Sequence, residues 1–127
     1  MTYFHARRVP GAFEEVIERT REALARHGFG VLTEIDVTGT LKAKIGQEFR
    51  PYRILGACNP TMAHQALEME PHIGVMLPCN VIVQQTDQGV EVAVVNPAAS
   101  MAAVDNPALL EHARAVGQQL EAALAEL

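Results

Sequence analysis

The dipeptide Asn-Pro occurs three times in this chain, at Asn59-Pro60, Asn96-Pro97 and Asn106-Pro107. Each occurrence constrains what can follow it. Asparagine accepts hydrogen bonds from the orphan amides of a helix's first turn. Proline at the first helical position loses no hydrogen bond, and its fixed φ already suits a helix. The three sites predict a helix over residues 60–69, a short helical turn over about 98–103, and a terminal helix from Pro107 to about Glu126. The segments before the first two sites, residues 52–58 and 90–95, read as strands. The chain therefore alternates between strand and helix.

The remaining elements follow in order. Residues 2–8 are a candidate edge strand. A helix is expected from Pro10 to His27, because Phe13, Val16, Ile17, Thr20 and Leu24 recur at three- and four-residue spacing. Glu14, Glu15 and Glu18 lie near its positive end, and Gly28 suits its C-terminal cap. Residues 29–37 alternate as a strand with one wetter face. Thr38 is the expected cap of a second helix, with Leu41, Ile45 and Phe49 along its buried side. Gly46 and Arg50-Pro51 end that helix. Residues 52–58 are apolar on both faces, as in an interior strand. Pro71 stops the helix that starts at Pro60. Residues 73–86 read as a long extended segment interrupted at Pro78, which implies a bulge or an edge position. Asp87-Gln88-Gly89 is a hairpin signal, and residues 90–95 are expected to return antiparallel to 79–86. In the last helix Leu109, Leu110, Ala113, Val116, Leu120, Ala123 and Leu124 form the buried stripe. Gly117, on or beside it, points to close packing.

The order β-α-β-α-β-α-β-β-α describes an α+β two-layer sandwich. A mixed, partly antiparallel sheet would carry its helices mainly on one face. A chain of 127 residues is one domain, residues 1–127, and is long enough to fold without a disulfide or metal staple. A sheet face left uncovered by helices leads to the expectation of a homodimer.

Composition narrows the partners. A formal net charge of −5 without a basic stripe argues against nucleic acid. No window approaches a membrane span, and the first residues lack a signal-peptide pattern. A cytoplasmic location is expected, where the two cysteines would be reduced thiols.

The elements Ala57-Cys58-Asn59-Pro60 and Leu77-Pro78-Cys79-Asn80-Val81, within residues 28–96, resemble the bacterial and archaeal family catalogued as domain of unknown function 302. The resemblance implies a small α/β domain, cytosolic where not fused to other modules, with dimeric forms. It implies no activity, catalytic residue or cofactor.

The stretch from Ile54 to Asn80 holds both cysteines, together with His64, His72, Met62, Met69 and Met76. Three readings of the thiols stay open. Both are small buried hydrophobes, the ordinary fate of free cysteine. Or Cys58 and Cys79 are soft-metal ligands, completed by His64, His72, Met62 or Met76. Or Cys58, just before a helix N-terminus that favours a thiolate, is a nucleophile that Cys79 resolves. His64 is expected to pair with Glu68 one helical turn on, and His72 to lie in a solvated loop. A fourth possibility needs no thiol. The helix starts at Asn59 and Asn96 would converge on a small anion, with Arg50 or Arg53 as counter-charge. No phosphate-loop, dinucleotide or nucleophile-elbow motif is present.

The sequence thus favours a small-ligand-binding domain without a cofactor. Its pocket would lie near Cys58, Asn59, Cys79 and Asn80, with His64 and Asn96 as further contacts. The alternatives are a thiol-dependent redox enzyme using Cys58 and Cys79, and a structural homodimeric interaction module.

Overall fold

A computed structural model describes residues 2–127. Its elements are β1 (Phe4–Val9), α1 (Phe13–Arg26), β2 (Gly30–Asp36), α2 (Val37–Ile45), β3 (Tyr52–Cys58), α3 (Pro60–Met69), a 3-10 turn (Pro71–Met76), β4 (Cys79–Thr86), β5 (Gly89–Val95), α4 (Pro97–Ser100) and α5 (Pro107–Ala125). The five strands form one sheet in the order β1-β5-β4-β3-β2. It is an α+β sandwich, as the element order predicts. Every neighbouring pair is antiparallel, so the expected mixed sheet is corrected. The reason is topological. Helix α1 carries the chain from edge strand β1 to the opposite edge at β2, and from there each strand returns beside its predecessor.

Two of the three Asn-Pro starts are capped by the asparagine side chain. Asn59 Oδ1 accepts from the Met62 amide at 3.2 Å, and Asn106 Oδ1 from the Leu109 amide at 3.1 Å. Asn96 also precedes a helix, but its Nδ2 donates to the Thr2 carbonyl at 2.8 Å instead. It ties the start of β1 to the end of β5.

Helices α1 and α5 pack on one sheet face. Val16, Ile17 and Leu24 of α1 and Leu120 of α5 are buried there against Leu55, Val81, Val83 and Val92. Gly28 follows α1 in the left-handed conformation (φ +84°), and the Phe29 amide returns to the Leu24 carbonyl at 2.9 Å. A second core cluster gathers Ala66, Ile73, Met101, Leu109 and Ala113 beneath α3 and the 3-10 turn. Gly117 faces α4: a Cβ there would lie 3.3 Å from Pro97 Cδ, which bears out the close packing.

Three local expectations are corrected. Residues 73–76, expected to be extended, belong to the 3-10 turn Pro71–Met76: Glu70 Oε1 accepts from the His72 amide at 3.0 Å and closes the turn. Pro78 consequently precedes β4, where no ladder amide is required. The cap of α2 is Asp36, which accepts from the Gly39 amide at 3.1 Å. Thr38 Oγ1 instead donates to the Arg50 carbonyl and accepts from the Tyr52 amide, tying the following loop to β3. Finally, α2 stops at Ile45 because Gly46 turns left-handed (φ +67°), and it buries none of its residues. Ile45 is 64% and Phe49 37% exposed, so the expected buried side of this helix faces outward.

The outer face of the sheet carries no α1 or α5. The register aligns a row of apolar residues across all five strands: Ala6 opposite Ala93, Ala93 opposite Ile82, Ile82 opposite Ile54, and Ile54 opposite Ile35. In β3, β4 and β5 these residues sit next to buried residues of the inner face.

Candidate functional site

Two concavities compete, one on each side of the sheet. The first lies where β3 ends, β4 begins and α3 starts. Cys58, Asn59, Cys79, Met62, Met101 and His112 contribute to its walls, with apolar side chains around them. Its volume is about 30 Å³. Cys79 is buried and Cys58 half-buried, and both are free thiols. Burial pushes the Cys79 thiol up to about 11, with a smaller push from Cys58. The ladder places Cys79 opposite Ala57 and Cys58 opposite Gly30, so the cysteines do not form a directly opposed pair.

The expected residues divide. Cys58, Asn59 and Cys79 do meet at this cavity. Asn80 does not: it is exposed and belongs to the opposite sheet face. Asn96 binds Thr2. His64 sits on the surface of α3, 3.3 Å from Glu68 as its spacing predicts, and His72 is solvent-exposed beside Glu70. Met76 is 43% exposed. None of these four lines the cavity. Among the described residues no three His, Cys, Asp or Glu side chains form a metal-holding cluster.

The starts of α3 and α4 do converge, since Asn59 and Pro97 share the cavity wall. The counter-charge for an anion is elsewhere. Arg53 lies near the far end of β3, bound to Glu14 at 2.9 Å and Glu34 at 3.4 Å. Arg50 donates to Gln84 at 2.9 Å and stacks over Phe49 at 4.4 Å.

His112 and Met101 also reach the cavity, Met101 as part of the buried core. His112 Nε2 donates to the Met62 carbonyl at 2.8 Å and fastens α5 to the first turn of α3. The signal was its position beside Ala113 and three residues past Leu109, at the margin of the buried stripe.

The second concavity is a groove of about 390 Å³ on the outer sheet face, lined by Tyr3, Phe4, Tyr52, Asn80, Ile82 and Glu91 among others. Tyr3 and Phe4 meet edge to face at 4.9 Å. Gln84 Nε2 donates to Glu91 Oε1 at 3.0 Å while its own Oε1 accepts from Arg50, which makes a continuous polar border. Aromatic faces with a few fixed polar groups are what a small-molecule pocket requires.

No helix of the described residues is long and apolar enough to cross a membrane. A family model described as "Domain of unknown function DUF302" matches residues 5–127. No curated protein matches the chain. A crystal structure of an uncharacterized conserved protein DUF302 from Bacillus stearothermophilus is similar over 98% of each chain, with 31% identity and a TM-score of 0.93.

Proposed function

This chain belongs to the DUF302 family, and from that premise, which fixes a fold and no activity, we propose that it works in the cytoplasm as a small-ligand-binding homodimer whose outer sheet face is both subunit contact and groove wall. The observation that carries this reading is the apolar row from Ala6 to Ile35 on the sheet face opposite α1 and α5.

Magnitudes support it. Five strands of six to eight residues present a face of roughly 500 Å² in projection. Adding α2, with its exposed Ile45, approaches the ~800 Å² per partner of a stable interface. A nine-residue helix that buries none of its residues is marginal on its own in water, and a second copy would cover it. The groove, whose wall includes Ile82 and Ala93 of the row, falls within the ~300–1,000 Å³ of small-molecule sites, whereas the thiol cavity is tenfold too small. The ligand site of this reading therefore keeps Asn80 from the Cys-Asn pairs and adds Tyr52, Gln84 and Glu91.

Sedimentation equilibrium tests the assembly. The wild-type chain sediments as a dimer at micromolar concentration, and Ile82→Glu, which puts a charge at the centre of the row, sediments as a folded monomer. A wild-type monomer at high concentration would sink the proposal. Native mass spectrometry of freshly purified dimer tests the ligand: a retained small molecule that Tyr52→Ala releases is the expected result. An empty groove that also binds nothing in a metabolite screen would count against it.

A further inference from the structure

The cavity at the ends of β3 and β4 gathers sulfur. Both cysteines and two of the five methionines share its walls. They come from four places in the chain: Cys58 ends β3, Cys79 begins β4, Met62 lies in the first turn of α3, and Met101 follows α4. No Asp, Glu, Lys or Arg lines this space.

Size decides what can enter. A volume of about 30 Å³ admits about one water-sized body. An organic ligand does not fit; a bare ion does. Donor chemistry then selects the ion. Thiolate and thioether sulfur are soft ligands that favour monovalent copper. Zinc sites draw on three or four Cys, His or carboxylate ligands, and no three of these gather among the described residues; calcium and magnesium draw on oxygen.

We propose that this cavity is a site for one copper(I) ion, held by Cys58 and Cys79 with a thioether from Met62 or Met101. The thiols release their protons to solvent as the metal binds. Copper enters and stays as copper(I), so no electron moves. His112 is a positioning residue: its hydrogen bond to the Met62 carbonyl holds the first turn of α3, and Met62 with it, against α5.

The test is anaerobic titration of the reduced protein with copper(I) bicinchoninate, read as loss of the coloured complex. Wild type withdraws one equivalent per chain. Cys79→Ala, which removes the buried thiol, and Cys58→Ala each abolish the transfer. Met62→Leu/Met101→Leu weakens it by about tenfold or more, the scale of a lost metal-shell group. Circular dichroism confirms that each variant is folded, and if Cys79→Ala is not, the half-exposed Cys58→Ala carries the test. Copper left with the indicator by wild type overturns the proposal. One equivalent still bound by Cys79→Ala overturns it too, because the metal is then on a surface thiol. So does displacement of copper by equimolar zinc, and so does an unchanged affinity in the double methionine variant.

Discussion

Ala57 of β3 stands directly opposite Cys79 of β4, which leaves Cys58 one residue out of register with its nearest thiol. Directly opposed positions are where cross-strand Cβ atoms approach most closely, and disulfide formation needs that approach. The ladder gives the place to alanine. In the metal-free, reduced protein the two thiols should differ in reactivity. Cys58, half-buried, should react with a maleimide in the native state. Cys79 should resist, since it is 8% exposed and burial pushes it up to about 11, leaving it a neutral thiol near pH 8. Peptide mass spectrometry after timed labelling checks this. Equal labelling of both would contradict the burial of Cys79, and a Cys58–Cys79 disulfide after mild oxidation would contradict the register.

Gly28 and Asn59 form a second constraint on the same region. Gly28 is left-handed, and a Cβ on it would lie 2.9 Å from Asn59 Nδ2. Gly28→Ala should destabilise by about 1–3 kcal/mol, from backbone conformation and from displacement of the capping amide. Asn59→Ala alone should cost about 1 kcal/mol through the lost cap. The double variant should cost less than the sum, because the clash disappears with the amide. Urea unfolding of the four proteins measures the coupling; strict additivity would refute the contact.

The identical dipeptides at Asn96 and Asn106 make different hydrogen bonds. Asn106 caps α5, so Asn106→Ala should cost about 1 kcal/mol. Asn96 donates only to the exposed Thr2 carbonyl, and Asn96→Ala should change stability by about 0.5 kcal/mol or less. The same unfolding measurements would expose equal costs, which this geometry does not allow.

Glu126 ties the end of α5 to the end of α1. The hydrogen bond from Arg26, at 2.7 Å, and then the one with His27 hold its carboxyl below the ordinary glutamate value. A group whose folded pKa is lowered contributes fully above its unfolded pKa and loses that contribution as pH falls through the folded one. The melting-temperature difference between wild type and Glu126→Gln should therefore be present at pH 7 and vanish in acid, below the folded Glu126 value. The pair is exposed and screened, so the difference is small. A difference that persists unchanged in acid strong enough to protonate the folded carboxyl would rule this linkage out.

Much of the fold was legible because its signals are local. Capping and proline chemistry placed α3 at its observed bounds and α5 within a residue, and the turn residues after Thr86 placed the β4–β5 hairpin. The errors also have local causes. The apolar residues of 73–76 fit a strand as well as a 3-10 turn, and one side-chain bond from Glu70 decided between them. The spacing of Leu41, Ile45 and Phe49 describes an amphipathic helix, but nothing in the spacing says whether a core exists for it to face.

What the sequence determined by itself is where segments start, stop and turn, and that Cys58 and Asn59 would stand at a strand-to-helix junction. Those properties depend on neighbours a few residues away. Tertiary structure alone decided the strand order, the uniformly antiparallel register, and the arrival of His112 and Met101 beside the thiols. Each depends on which strand pairs with which and on a period-2 parity, which a shift of one residue inverts. Pairing between distant segments is won by burial summed over the whole core, and no window of the sequence contains that sum.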